Sequence, residues 1–241
     1  MIVSTINTNF WAVIPARSGS KGLKDKNIRM LNGIPLIGHT INFAKKLKPK
    51  MIFVSTDSEE YSLIAKSFGA SVPFLRSHQA SSDTAMEEDI LIELKIRCIE
   101  LDIELPDFII WLRPTFPFRS IDKTLTAINL LNKKIDSVRL VYQDDPRLYF
   151  KHGEYLVPKF NDQGRSMIRR QEFENHYKVF HTDIFWTKNI DLKEKFLGTK
   201  IDHVVISKYE GIDIDGIEDF ELADLMLKNN FKHIKEYRHD K

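Results

Sequence analysis

An α/β fold with a doubly wound, mainly parallel sheet is what the sequence predicts, on three observations. Apolar runs of strand length alternate with capped helical stretches about four times before residue 135. That order belongs to a parallel sheet with helices on both faces. The 241 residues suffice for one such domain with a modest insertion, and a hydrophobic content of 42% supplies a full core. Residues 1–241 are therefore read as a single domain.

Taken in order, residues 10–14 form an apolar run suited to a buried strand. "IPLIGHTINFAKKL" reads as a helix with Pro35 in its first turn and Leu36, Ile37, Ile41 and Phe43 as apolar positions. "MIFVST" is the second strand. "DSEEYSLIAKSFG" is a helix capped by Asp57 or Ser58 and stopped by Gly69. "ASVPFLR" reads as a short strand running into a loop. "TAMEEDILIELKIRCIEL" opens with Thr84 and has Glu87 three residues on, a capping-box spacing. "DFIIWL" is a buried strand, and "SIDKTLTAINLLNKK" a helix begun by Ser120 or Asp122. The texture then changes. "RLYFKHGEYLVPKF" reads as a hairpin with His-Gly in its turn, "NDQGRSMIRRQEFENHY" as polar and irregular, and "VFHTDIFWT" as a strand. Residues 142–177 are expected to leave the sheet as a small protruding arm, a subdomain or dimerisation element. "HVVIS" returns to the sheet, and "IEDFELADLMLKN" closes the chain as an amphipathic helix.

Charge and cysteine usage narrow the function. The 36 Lys+Arg and 34 Asp+Glu leave a net charge of +2, so no general attraction to nucleic acid or to anionic membrane is expected. A single cysteine, Cys98, allows no internal disulfide and no cysteine-built metal site. The start of the chain lacks a basic secretory leader, and no segment nears the ~20 apolar residues of a membrane span. A soluble, cytoplasmic protein is the expectation.

Four clusters carry the chemistry. "IPARSGSKGLKDKN", residues 14–27, gathers Arg17, Lys21, Lys24 and Lys26 around Gly19 and Gly22 just past the first strand. Such a loop can aim backbone N–H groups and cations at a triphosphate; the alternative is a basic surface turn. In "GIDIDGIEDFELAD", Asp213 and Asp215 fall on one face of an extended segment, with Ile212 and Ile214 on the other. That pair suits Mg²⁺ with substrate phosphates, or simply a helix N-terminus that favours acids; Glu218 and Asp219 belong to the cap of the last helix. "LRPTFPFRS" sets Arg113 and Arg119 on a proline-stiffened loop, either anion forks or a rigid connector. Arg169, Arg170 and Gln171 form an anion clamp or a solvated run, and Arg76 a base contact or a salt bridge. His39 and His181 show no metal or triad spacing, and Cys98 reads as core packing.

Together "AVIPARSGSKGLKDKNIRMLNGIPLIGHTI", "IFVSTDSEEYSLIAKSFGASVPFLR", "SSDTA", "LRPTFPFRS", "RRQ" and "IDIDGIEDFELAD" stand in the order seen in the acylneuraminate cytidylyltransferases, which the chain resembles from about residue 10 to 227. The resemblance implies a Rossmann-like nucleotidyltransferase fold. It implies transfer of CMP from CTP to the anomeric hydroxyl of a nonulosonic, sialic-acid-like 2-keto sugar acid, with release of pyrophosphate and a need for Mg²⁺. It implies a homodimer whose arm closes over the partner's sugar site. Carried over by position, Arg17, Ser18, Gly19, Ser20, Lys21, Lys26 and Asn27 are the phosphate site. Arg76, Ser82, Thr84 and Ala85 are the cytosine pocket, Asp213 and Asp215 the metal ligands, and Arg113, Arg170 and Gln171 the sugar-acid contacts. Arg17, Lys26 and Asp213 are the catalytic set. The same chemistry on a deoxy-octulosonate or another acceptor, and a catalytically silent nucleotide-binding relative, are the alternatives.

Two departures bear on the acceptor. The family usually has Gln where this chain has Arg113, and "NGAIYI" where it reads "FHTDIFW" at residues 180–186. Both regions face the sugar in the family. The acid is thereby left open among neuraminate, legionaminate, pseudaminate, deoxy-nonulosonate and deoxy-octulosonate types.

Overall fold

The computed structural model describes residues 9–20, 22–161, 163–165, 167–229 and 231–237. Its elements run β1 Phe10–Pro15, β2 Met30–Leu31, β3 Ile34–Pro35, α1 Leu36–Leu47, β4 Met51–Ser55, α2 Glu59–Ser67, α3 His78–Ser81, α4 Glu87–Glu100 and β5 Phe108–Leu112. There follow α5 Ile121–Leu130, β6 Ser137–Gln143, β7 Tyr149–His152, β8 Tyr155–Pro158, β9 Tyr177–Trp186, β10 Ile201–Val205 and α6 Ile217–Lys228. The main sheet has the order β10-β6-β9-β5-β1-β4. β1 pairs in parallel with β4 and β5, β10 in parallel with β6, and only β9 runs against its neighbours.

Side-chain alternation along the strands builds two cores. Phe10, Ala12, Ile14, Phe108, Ile110 and Leu112 face one side with Ile37, Ile41 and Ala44 of α1, Tyr61 of α2 and Ala127 of α5. Trp11, Val13, Ile109 and Trp111 face the other with Leu91, Leu94 and Cys98 of α4. Cys98 is a free, buried thiol, and burial pushes its pKa up to about 11, as for a packing residue. A third core joins distant parts of the chain: Leu23, Leu31, Phe118, Ile214, Phe220 and Ala223 pack together.

Local departures from the sequence reading have physical reasons. "ASVPFLR" makes only a bridge between Ser71 and Phe53; Pro73 follows and has no N–H to extend a ladder. The Thr84–Glu87 capping box does not form. Helix α4 starts at Glu87, and Asp89 accepts the Met86 N–H at 2.8 Å, because Glu87 is drawn away to Arg113. Ser58, not Asp57, caps α2, and Ser120 caps α5. The hairpin turn falls on Gly153 and Glu154, since His152 pairs with Tyr155. The small β2–β3 hairpin was not read, although Asn32 and Gly33 at φ 49° and 82° are the turn that joins it. The excursion leaves the sheet after Gln143 and returns at Tyr177, which pair with each other.

Candidate active site

The loop after β1 turns on Gly19, whose φ is +67°. It is tied down on both sides. Ser18 donates its N–H and its hydroxyl to Asp57 at 2.7 and 2.9 Å, and Tyr61 donates to Asp25 at 3.3 Å. Asn27 is buried and donates Nδ2 to the Arg17 carbonyl at 3.1 Å. Arg17 reaches across to the end of α3 and the segment that follows it. It donates to the carbonyls of Ser81 and Ser82 at 3.3 Å and pairs with Asp83 at 3.0 Å.

The acidic motif meets this loop from the other end of the chain. Lys26 Nζ donates to the Ile214 carbonyl at 2.6 Å and pairs with Asp215 at 3.4 Å. Gly22 lies so close that an added Cβ would stand 2.4 Å from the Asp215 carbonyl. Ile214 is buried in the third core, as the alternation predicts, and its N–H is held by the Thr115 carbonyl at 2.9 Å. Asp219 accepts the N–H groups of Asp215 and Gly216 at 3.0 and 2.9 Å, which fixes Asp215 at the start of α6. Asp215 is exposed, whereas Asp213 Oδ1 is buried without a hydrogen-bond partner. Burial raises the Asp213 pKa above the usual carboxylate range against a hydrogen bond from Thr115, and the charge of Asp215 adds to the rise.

A cleft of about 650 Å³ runs along this edge. Its lining brings together Arg17, Ser20, Lys26, Asn27, Arg76, Ser82, Ala85, Arg113 and Asp215 of the predicted set. Ser18 is turned to Asp57, Gly19 supplies the turn, and the Thr84 hydroxyl lies 3.3 Å from that of Ser82. Lys21 lies outside the described residues. Arg76 is buried, with Nε and Nη2 on the Ser55 hydroxyl and carbonyl at 3.1 and 2.7 Å, and burial brings its pKa down to about 10. Arg170 and Gln171 are elsewhere, beside a separate hollow of about 390 Å³ in the arm.

Arg113 lines the cleft, yet four of its five N–H groups are committed. Nε and Nη2 go to Glu87 at 2.8 and 2.7 Å, and Nη1 goes to the Phe180 carbonyl at 2.8 Å and Asp183 at 2.9 Å. Burial acts to lower its pKa, and the two carboxylates reverse this, so the net shift is upward. Asp183 also holds Arg139 at 2.7 Å. Arg119 is no fork for a ligand. It is buried and donates to the carbonyls of Phe116 and Arg113, so it organises the proline loop from within, and burial pushes its pKa down to about 9. His181 is buried between the Phe118 carbonyl and Thr182, and burial holds it neutral.

Glu87, Phe180, Asp57 and Asp183 were missed by sequence reasoning. The signal for Asp183 was present in the two family departures, which turn out to be one ion pair.

The site therefore holds cations and a paired carboxylate at the carboxyl edge of a mainly parallel sheet. Among the described residues no group of three or more His, Cys, Asp or Glu is placed for a metal, and no helix is long and apolar enough to cross a membrane. The chain is 42% identical over 120 residues to a CMP-N,N'-diacetyllegionaminic acid synthase of Legionella pneumophila, covering 49% of this chain and 51% of that one. It is 30% identical over 239 residues to an N-acylneuraminate cytidylyltransferase of Escherichia coli, covering 97% of this chain and 56% of that one. The chain thus spans about half the length of each of these relatives. Among solved structures, a CMP:2-keto-3-deoxy-manno-octonic acid synthetase complexed with CTP superposes with a TM-score of 0.67 at 15% identity, over 92% of this chain and 99% of that one. That likeness is one of fold. The sequence model for cytidylyltransferases matches residues 11–138, more than half of the chain and all of its glycine-rich loop, so the chain belongs to the cytidylyltransferase family.

Proposed function

We propose that the protein transfers CMP from CTP to the anomeric hydroxyl of a nonulosonic, sialic-acid-like 2-keto sugar acid and releases pyrophosphate. The observation that carries this reading is the meeting of two half-sites: Lys26 of the glycine-rich loop stands on Ile214 and Asp215 of the acidic motif. Names of relatives that make CMP-linked sugar acids support the acceptor class.

Each residue has a physical task. Arg17 and Lys26 neutralise phosphate oxygens and stabilise the departing pyrophosphate, which is most of what nucleotidyl transfer asks of a protein. Ser20 and the loop amides orient the triphosphate. Arg76, rigid on Ser55, offers its remaining guanidinium N–H groups to the base beside Ser82 and Ala85. The attacking sugar oxygen forms a bond to the α-phosphorus as the bond to the bridging oxygen breaks. Asp213 and Asp215 would hold Mg²⁺. The unpartnered, buried Asp213 oxygen beside a second, exposed carboxylate fits an oxygen-ligated cation that keeps waters and phosphates as its other ligands. Bound Mg²⁺ supplies charge to the phosphate and acidity to the hydroxyl.

We further propose a cytoplasmic homodimer. Tyr155, Leu156 and Met167 of the arm are exposed, and Arg170 and Gln171 lie outside their own cleft, as expected of groups that serve a partner's site. The test is pyrophosphate release with CTP and Mg²⁺ against nonulosonic and octulosonic acids, with UTP and ATP as controls. A CTP-specific signal with a nonulosonic acid is expected. CTP binding without release on any acid would instead mark a silent relative.

A further inference from the structure

Phe180 lies within strand β9 at φ +84°. A bulky side chain occupies that left-handed region only where its surroundings over-determine it. Here they do. Arg113 Nη1 holds the Phe180 carbonyl at 2.8 Å, and the ring lies against two guanidiniums, 5.0 Å from Arg113 and 5.7 Å from Arg139. Both arginines are anchored on buried Asp183. The partner strand β6 slips register between Leu140 and Tyr142, next to this position. Phe180 is nonetheless 52% exposed, and it lines the cleft.

Its place on the sheet edge separates it from the nucleotide. Arg76 follows β4, the phosphate loop follows β1, Arg113 follows β5, and Phe180 sits on β9, in that spatial order. The base and phosphates take the β4–β1 side, so the acceptor takes the β5–β9 side. Glu87 lines the same cleft and shares the Arg113 guanidinium with Phe180. Its Oε1 accepts Trp111 Nε1 and Arg113 Nε, while Oε2 accepts Arg113 Nη2 and keeps a lone pair. An apolar ring and a fixed acceptor that share one guanidinium complement a group that pairs a methyl with an N–H, as an acylamino substituent does.

We propose that Phe180, with Glu87, is the acceptor-selecting residue, reading the acylamino group of the sugar acid, and that Arg113, Arg139 and Asp183 are positioning residues that hold the ring in place. This rests on the nucleotidyl-transfer reading above. The test compares an acetamido nonulosonic acid with its counterpart bearing a hydroxyl instead, in wild type, Phe180→Asn and Phe180→Gly. Both substitutes tolerate the left-handed backbone, so melting temperature is expected to hold or rise. Wild type is expected to favour the acetamido acid, and both variants to lose about tenfold of that preference, with KM for CTP unchanged. An unchanged preference would overturn the proposal, whether CTP affinity falls (the ring then stacks on the base) or stays (the ring is then structural). A wild type that turns over neither acid would overturn the transfer reading itself, and this inference with it.

Discussion

Gly22 is a point where backbone, not side chain, makes the site. A methyl there would stand 2.4 Å from the Asp215 carbonyl, so loop and acidic motif must part. Gly22→Ala is expected to lower kcat by about 100-fold, the order of loss for a ~1 Å misplacement of reacting groups, with a smaller change in CTP affinity by calorimetry. Asp213 is read through binding rather than rate. Mg²⁺ is expected to raise the melting temperature of the wild type and to leave that of Asp213→Asn unmoved. An equal rise in both would remove Asp213 from the metal site. The paired acids were visible in the sequence because an i, i+2 spacing in an extended segment sets a face without any tertiary knowledge, and Ile214 is buried as that spacing requires. Arg113 and Arg119 were not separable, since two arginines on one loop look alike until burial tells them apart. One lines a cleft, and the other is sealed against Phe43 and the proline-loop carbonyls.

At the scale of elements, periodicity made the strands and helices legible, and competition for side chains spoiled the finer detail. Glu87 had the spacing of a cap but is claimed by Arg113 and Trp111, with Asp89 taking its place. Asp57 had the place of a cap but is claimed by the Ser18 amide and hydroxyl. The hold of Asp57 on the glycine-rich loop has an expected kinetic signature. Asp57→Ala releases Ser18 and is expected to raise KM for CTP several-fold, with KM for the acid unchanged, in steady-state assays. The excursion was legible because the apolar/helical alternation gives way to turn residues and polar stretches; its hairpin is exposed along β7 and at Tyr155 and Leu156, and half-buried at Val157 and Pro158. Leu156→Glu with Met167→Glu is expected to convert a species of twice 28.2 kDa to one of 28.2 kDa in analytical ultracentrifugation.

For the molecule as a whole, one buried histidine sets an acid limit. His181 keeps its pKa well below its ordinary 6.5, so the unfolded chain takes up a proton that the folded chain refuses. Stability present above about pH 6.5 is therefore lost as pH falls toward the folded value, with a slope of about 1.4 kcal/mol per pH unit for one proton. Urea titrations of the wild type and His181→Gln at pH 7.5, 6.5 and 5.5 are expected to show that slope only in the wild type. The doubly wound sheet was legible from element order alone, while the reversal of β9 was not, because a buried apolar run carries no direction. The third core and the Lys26–Ile214 bond, which spans 188 positions of sequence, also set a schedule for synthesis. At 5–20 residues per second, the glycine-rich loop leaves the ribosome roughly 10–40 s before the carbonyl that Lys26 bonds. Through that interval its cations have no counter-charge from the acidic motif and no third core beneath them. The contact between loop and acidic motif therefore forms only after the segment around Ile214 has been made.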